Sequence, residues 1–192
     1  MVNKTDEQLA ELCRKQDHQA FQELMNRYLR PIFNFNRQYA RAIEDVDDIT
    51  QDTFFKVWKY IGKFKQGMTF RPWLYTIARN TALDHIKKKK AVSFSELDDN
   101  ENNLSFAETI EDIEPSQIEI LENDILSKNL SGKLESLHPD YQAVITLRYN
   151  EEMTFEEIAV VVNRPMNTVK SWHRRALIQL QKLMKDHLHQ KH

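Results

Sequence analysis

Polar and basic side chains recur along one stretch near the C-terminal end of this 192-residue chain. They are Asn167, Thr168, Lys170, Ser171, Arg174 and Arg175. On a helix, short polar side chains in the first turn can reach base edges in the major groove of DNA, while arginine and lysine can neutralise phosphates. The chemistry that this spacing permits is therefore the reading of DNA by a helix.

The residues around this stretch predict the elements that hold it. Thr154 and Glu157 match a capping box, in which the hydroxyl and the carboxylate each accept one backbone N–H. A buried stripe is expected at Phe155, Ile158, Ala159 and Val162. The segment Asn163-Arg164-Pro165 predicts a tight turn, because asparagine tolerates left-handed backbone and proline suits a helix start. The second helix is expected to bury Val169, Trp172, Ala176 and Leu180. Together these features predict a helix-turn-helix, whereas charge alone would favour a helical hairpin with a solvated face.

A second group of polar side chains lies in the first half of the chain. Asp48, Gln51, Asp52 and Phe55 recur at spacings of three and four, so they share one face of a predicted helix. This face can pair with an arginine-rich partner helix, although without further motifs a solvated acidic face is the simpler interpretation. The helix is predicted from about Val46 to Phe64, with Val46, Ile49, Phe54, Val57, Trp58 and Ile61 as its apolar residues.

Three more helices are predicted within residues 1–90. The first runs from Thr5 to Lys15, with Leu9 and Leu12 inward, and the second begins after a capping Asp17. The second is expected to bury Phe21, Leu24, Met25, Tyr28 and Leu29.

The last of these helices follows a loop that contains Gly62, Gly67 and Thr69. It is predicted from about Arg71 to Lys88, with Pro72 in its first turn. One side is expected to carry Leu74, Ile77, Ala78 and Thr81, and the other Thr76, Arg79, Asn80 and Lys87.

Charge is segregated along the chain, although the net charge is only -2. Residues 1–90 hold 17 basic and 11 acidic residues, and residues 128–192 hold 10 basic and 7 acidic residues. Residues 91–127 hold 11 acidic residues and no lysine or arginine. Local fields therefore decide which parts can bind nucleic acid. Residues 91–115 lack helical periodicity and predict a linker, while a helical pattern resumes near Ser116.

Composition limits the compartment and the chemistry. The longest apolar run, residues 158–162, is too short to cross a bilayer, and the N-terminus lacks the apolar core of a signal peptide. The lone Cys13 is expected to pack and favours a reducing compartment, so a cytoplasmic protein is predicted. The chain has no phosphate-binding glycine loop, His-Glu-x-x-His or Cys-x-x-Cys motif. The histidines of the tail are expected to be frayed and solvated; they are His187, His189 and His192. We therefore expect no catalytic residue, metal or cofactor.

Three blocks of sequence resemble the sigma-70 family of bacterial RNA polymerase specificity subunits, in its short extracytoplasmic-function (ECF, group IV) type. The first is Asp47-Asp48-x-x-Gln51-Asp52-x-Phe54-x-x-x-Trp58. The second is Phe70-Arg71-x-Trp73-Leu74-Tyr75-x-Ile77-Ala78-Arg79-Asn80-x-x-x-Asp84. The third is Thr154-Phe155-Glu156-Glu157-Ile158-Ala159 with Thr168-Val169-Lys170-Ser171 and Arg174-Arg175-Ala176.

The resemblance implies an all-α protein with two small helical domains. Residues 1–90 would form sigma region 2, residues 91–117 an acidic flexible linker, and residues 118–192 sigma region 4. The protein would bind core RNA polymerase, through the β′ clamp helices and the β subunit, and direct it to promoters without catalysis of its own. An anti-sigma factor that holds the protein inactive is a further expected partner, and no membrane insertion is expected.

The resemblance also assigns residues to promoter elements and to the polymerase. Asp48, Gln51, Asp52 and Phe55 would dock on the β′ clamp helices. Loop 63–71 and the helix after it would melt and read the −10 element, through Arg71, Arg79, Asn80, Lys87 and Lys88. The −35 element would be read by Asn167, Thr168, Lys170, Ser171, Arg174 and Arg175. Core packing is the favoured role for Trp73, and the run of four lysines at 87–90 also suits a basic helix end.

Some features leave alternatives open. Gln16 and Asn163 stand where the family usually has glycine, Thr76 where a basic residue is common, and Trp172 where arginine is frequent. The acidic linker suits either a nucleic-acid mimic within a positive channel or a plain spacer. A stand-alone helix-turn-helix regulator is the alternative function, but it would leave the first two blocks unexplained.

Overall fold

The structure is a computed structural model that describes residues 4–40, 42–65, 67–93 and 134–189, with side chains as far as 89 and 184 in the last two ranges. Every regular element in these ranges is helical, which confirms the all-α fold class. The helices fall mainly into two compact units, one from each half of the chain. The first unit contains α1 (Asp6–Arg14), α2 (His18–Asn36), α3 (Ile43–Tyr60) with a 3₁₀ turn (Ile61–Lys63), and α4 (Phe70–Ser93).

Local capping explains where the first two helices begin. Thr5 and Gln8 form a reciprocal capping box at the start of α1. The Asp17 carboxylate accepts the backbone N–H of Gln19 and of Ala20 at 2.9 and 3.0 Å, as the sequence predicts for the cap of α2. Between these helices the chain reverses at Gln16, whose φ is 66°.

The core of the first unit is built from inward faces of α1 to α4. Its fully buried side chains include Leu9, Leu24, Ile32, Phe35, Ile49, Leu74 and Tyr75. Leu29 was expected to be buried but is 49% exposed, because the buried stripe of α2 runs through Leu24, Tyr28 and Ile32. Cys13 is fully buried, and burial raises the pKa of its thiol to about 11, so it packs as a small apolar residue.

Two helices have boundaries that differ from the prediction. Helix α3 begins at Ile43, three residues early, and gives way to the 3₁₀ turn after Tyr60. Helix α4 begins at Phe70 and continues to Ser93, into the range predicted as linker. The rest of the linker and the helix expected from Ser116 lie outside the described residues.

The C-terminal half of the chain contains α5 (Pro139–Ile145), a π-helical turn (Thr146–Asn150), α6 (Phe155–Val162) and α7 (Met166–His189). One buried cluster joins α5 to α7, and it consists of Leu137, Ile145, Ala176, Leu177 and Leu180. The backbone of α7 is helical as far as His189, so the prediction of a tail frayed from His187 is wrong up to that residue.

Candidate nucleic-acid and protein interfaces

The predicted helix-turn-helix is present in α6 and α7. At the start of α6, Glu157 N donates to Thr154 Oγ1 at 3.2 Å and Thr154 N donates to Glu157 Oε2 at 2.9 Å, so the capping box is complete. Three residues separate Val162 from Met166, and Asn163 has the left-handed φ of 52° that the turn requires. The local sequence therefore fixes both the start of α6 and the entry into α7.

The outer face of α7 brings most of the predicted −35 residues together. Asn167, Lys170 and Ser171 are exposed, and Arg174 follows on the same face, half-buried. Thr168 and Arg175 border this face and are also half-buried. Val169 is fully buried on the opposite side. The helix thus presents short polar side chains in its first two turns and arginines in the next, an order that suits bases and phosphates.

His173 anchors this helix, which the sequence analysis did not predict. Its side chain is 9% exposed, and its Nε2 lies 2.8 Å from Tyr149 Oη. Phe155 meets the His173 ring edge-on, with centroids 5.2 Å apart. A polar histidine is not expected on a buried stripe, yet the spacing Val169, His173, Ala176 follows that stripe more closely than Trp172 does. Trp172 is only half-buried.

An acidic face with an exposed aromatic side chain at one end lies on α3. Asp48, Gln51 and Asp52 are exposed, and Phe55 beside them is 65% exposed. The opposite side of α3 is buried through Ile49, Thr53, Phe54 and Val57. The four predicted docking residues therefore share one solvent-facing surface, which we name the α3 face.

The predicted −10 residues on helix α4 differ in how far they are exposed to solvent. Asn80, Lys87 and Lys88 are exposed, and Arg71 is half-buried. Arg79 is 9% exposed, so the expectation that it lies on the outer side of α4 is wrong. The reason is tertiary: Ala78, Arg79 and Ala82 lie together on the buried part of the helix. The predicted contact of Arg79 with phosphate stays a prediction.

Two other side chains of this region, Trp73 and Thr76, make contacts that support α4. Trp73 is half-buried against Phe64 and Phe70, with centroids 5.4 and 5.9 Å away, in keeping with a packing role. The Thr76 hydroxyl donates a hydrogen bond to the carbonyl oxygen of Pro72 at 2.7 Å. Neither side chain is placed on the surface as a group that could contact DNA bases.

An ion-pair cluster joins α3 to the far end of α4. The Asp45 carboxylate accepts from Lys89 Nζ at 2.5 Å and lies 3.3 Å from His85 Nε2. These hydrogen bonds, that of Lys89 first, lower the pKa of Asp45 below its ordinary value of 3.8. Lys89 is therefore paired with α3 although its side chain is 65% exposed, and Lys87 and Lys88 are exposed as well.

Within the described residues, no helix has the length and apolar character that a bilayer-spanning segment requires. In the same part of the chain, no three His, Cys, Asp or Glu side chains are grouped so that they could hold a metal ion.

Comparison with known proteins assigns the chain to one family. The family model described as Sigma-70 region 2 matches residues 24–92, and the one described as Sigma-70, region 4 matches residues 127–180. The ECF RNA polymerase sigma-E factor of Escherichia coli is 30% identical over 169 residues, which cover 87% of each chain. The chain belongs to the sigma-70 family, in its extracytoplasmic-function group. The sigma factor is therefore a transcription initiation factor that binds core RNA polymerase and directs it to promoters.

Other relatives agree with this assignment. The ECF sigma factor SigW of Bacillus subtilis is 28% identical to this sigma factor, covering 90% of this chain and 93% of that one. Among solved structures, CnrH in complex with the cytosolic domain of CnrY matches with a TM-score of 0.64 at 22% identity, covering 93% of this chain and 96% of that one. RpoE of Bartonella quintana, in complex with the anti-sigma factor NepR, matches with a TM-score of 0.61 at 22% identity, covering 86% of this chain and 96% of that one. At this identity the two structures support the fold.

Proposed function

We propose that the sigma factor divides its work between the α3 face and two DNA-reading surfaces. The α3 face docks on the β′ clamp helices through Asp48, Gln51, Asp52 and Phe55. Loop 63–71 and α4 melt and read the −10 element, with Asn80 at the bases and Arg71, Lys87 and Lys88 at phosphates. Arg79 joins them only if its side chain leaves its buried position. The outer face of α7 reads the −35 element.

One observation carries the proposal: Phe55 is 65% exposed beside the acidic and amide side chains of the α3 face. An aromatic side chain surrounded by a polar rim is the arrangement that protein interfaces use for their strongest contacts. Asp48 and Asp52 supply charges that complement basic partner helices. A solvated helix face would need the acids but would gain nothing from the phenylalanine.

We also propose the setting in which these surfaces work. Residues 1–90 act as region 2, residues 118–192 as region 4, and residues 91–117 as the linker between them, with region 4 also touching the β subunit. The protein works in the cytoplasm, beside core polymerase, without a cofactor and without catalysis of its own.

Transcription of fragmented genomic DNA from the source organism tests this function. Purified core polymerase is supplied with the sigma factor, and the 5′ ends of the RNA are sequenced. We expect a set of start sites that is absent with core alone and shares two upstream motifs. No such set, combined with binding of the sigma factor to duplex DNA without polymerase, would favour the stand-alone regulator.

Control by an anti-sigma factor is a second part of the proposal. It is favoured by the solved complex of the Bartonella quintana protein with NepR, which has the same fold. Affinity capture of the tagged full chain from native cells, followed by mass spectrometry, tests it. Recovery of a protein that releases core polymerase from the sigma factor would support the proposal, and recovery of polymerase alone under all growth conditions would count against it.

A further inference from the structure

Helix α1 touches the start of α4, although the two are far apart in sequence. The backbone N–H of Phe70, the first residue of α4, donates to Glu7 Oε1 at 3.2 Å. The first N–H groups of a helix have no acceptor within it, and the helix dipole favours a negative charge at this end. Glu7 therefore caps α4 from another helix.

Phe70 is also held from the side by α2, which is itself bound to α1. Its ring is 1% exposed and lies 5.7 Å from the ring of Tyr28. Tyr28 donates its hydroxyl to Asp6, and Arg27 Nη1 donates to the other oxygen of Asp6 at 2.9 Å. The neighbouring carboxylates of α1 thus accept hydrogen bonds from different helices: Asp6 binds side chains of α2, and Glu7 binds the start of α4.

Phe70 marks the end of the loop that we assign to −10 recognition. The loop leaves the core at Phe64, which is 3% exposed, and returns to it at Phe70. Between these two anchors Lys65, Gly67, Met68 and Thr69 are exposed. A shift of Phe70 would move both the exposed loop and the first turn of α4, which carries Arg71.

Acidic residues in the first turn of a helix often serve only that helix, through its dipole. Asp6 and Glu7 both lie in the first turn of α1. The hydrogen bond that Glu7 accepts from Phe70 N, across 63 residues of sequence, goes beyond that local role. Helix α1 also lies outside the residues that the region 2 family model matches, 24–92, so the match assigns it no task.

We propose that Glu7 is a positioning residue for promoter melting, acting through the Phe70 backbone on the loop and on α4. The inference rests on the proposed −10 role of this region. Glu7 needs no contact with DNA for this purpose. It holds the reading elements in place before DNA arrives, so that their ordering does not oppose binding.

Three variants of the full chain test the inference. Glu7→Ala removes the acceptor, whereas Glu7→Gln keeps a carbonyl oxygen at the same distance along the side chain. Glu11→Ala is the matched control, because Glu11 lies on the same helix and pairs only locally in the described contacts, with Arg14 at 2.8 Å. Each variant is assembled with core polymerase on a promoter found by the genomic run-off transcription.

The readouts separate positioning from general stability. They are affinity for core polymerase, binding to a duplex that carries only the −35 element, and the rate at which permanganate-reactive thymines appear around the −10 element. We expect Glu7→Ala to slow opening about three- to tenfold, the range that loss of a helix cap implies, with the first two readouts unchanged. Glu7→Gln should retain at least about half of the opening rate, because a neutral acceptor preserves most of a cap.

Opening by Glu7→Ala at the rate of Glu11→Ala would overturn the inference and leave the proposed function intact. So would a folded Glu7→Gln as slow as Glu7→Ala, since the hydrogen bond would then not be the cause. A wild-type protein that binds core polymerase but opens no promoter would overturn the proposed function and this inference with it.

Discussion

At the scale of single residues, the left-handed backbone at Gln16 lowers the stability of the folded protein. Gln16 N donates to Cys13 O at 2.9 Å and Asp17 N donates to Leu12 O at 3.2 Å, the two bonds of a Schellman motif. Gln16, the donor of the first bond, has a φ of 66°. Left-handed backbone is unfavourable for a residue with a Cβ and easy for glycine.

Gln16→Gly should therefore stabilise the protein. We expect the free energy of unfolding to rise by about 0.5–1 kcal/mol, because relief of the left-handed strain exceeds the added entropy of the unfolded chain. Urea denaturation measures the change. Gln19→Gly, within the first turn of α2, is the control and should destabilise; a loss of stability in Gln16→Gly as well would show that the strain is absent.

Asp45 predicts a pH dependence at the same scale. Its pKa is lowered in the folded protein by Lys89 and then His85, so its carboxylate stabilises the fold above its ordinary pKa of 3.8. That stabilisation is lost as the pH falls through the lower pKa of the folded state. Asp45→Asn should therefore be less stable than wild type at pH 7, and the gap should narrow below about pH 4. Urea denaturation across this range measures it, and a gap independent of pH would contradict the assignment.

At the scale of elements, the sequence predicts what local rules control. Capping by Asp17 and Thr154 marks helix starts within a few residues, and both caps are present. The exposed α3 face and the outer face of α7 follow from helical periodicity alone. Helical spacing from Val169 to Ala176 also accounts for the burial of His173, although its polar side chain argues against it. Local rules do not predict the burial of Arg79, because it depends on how α4 packs in the first unit.

The His173 anchor predicts how α7 responds to loss of one hydrogen bond. Tyr149→Phe removes the hydroxyl that lies 2.8 Å from His173 Nε2. We expect about 1 kcal/mol less stability in this unit, which corresponds to about fivefold faster hydrogen exchange of α7 amides. Helix α2 is the internal control, and its exchange should not change. Equal protection of α7 in both proteins would mean that the packing of the rings, rather than the hydrogen bond, fixes the helix.

The outer face of α7 predicts a salt dependence. Replacing Arg174 and Arg175 with alanine should weaken binding to a −35 duplex and reduce the slope of log affinity against log salt by about two, since each phosphate contact contributes about 0.9. Fluorescence anisotropy at several salt concentrations measures both. Lys182→Ala, on an exposed part of the same helix beyond the reading face, should leave the slope unchanged. An unaltered slope in the double variant would show that these arginines do not contact phosphate.

At the scale of the whole molecule, no single surface identifies the protein. A helix-turn-helix indicates DNA binding in general, and an acidic helix face is common on solvated helices. Their combination with the region 2 and region 4 matches identifies a factor that joins polymerase to promoters. The linker and the helix predicted after it lie outside the described residues, so their roles stay predictions. The assignment of individual residues to polymerase and DNA also stays a proposal, which binding experiments can decide.

The most direct test of this account is the affinity for core polymerase after charge reversal on the α3 face. Asp48→Lys with Asp52→Lys should weaken binding at least about tenfold, because two attractive charges at the edge of the Phe55 contact become repulsive. Both side chains are exposed, so the thermal unfolding midpoint should change little. Glu11→Lys with Glu152→Lys makes the same change in net charge elsewhere and should bind core polymerase as wild type does. Equal affinity of the Asp48/Asp52 variant and this control would contradict the central claim that the α3 face is the polymerase-docking surface.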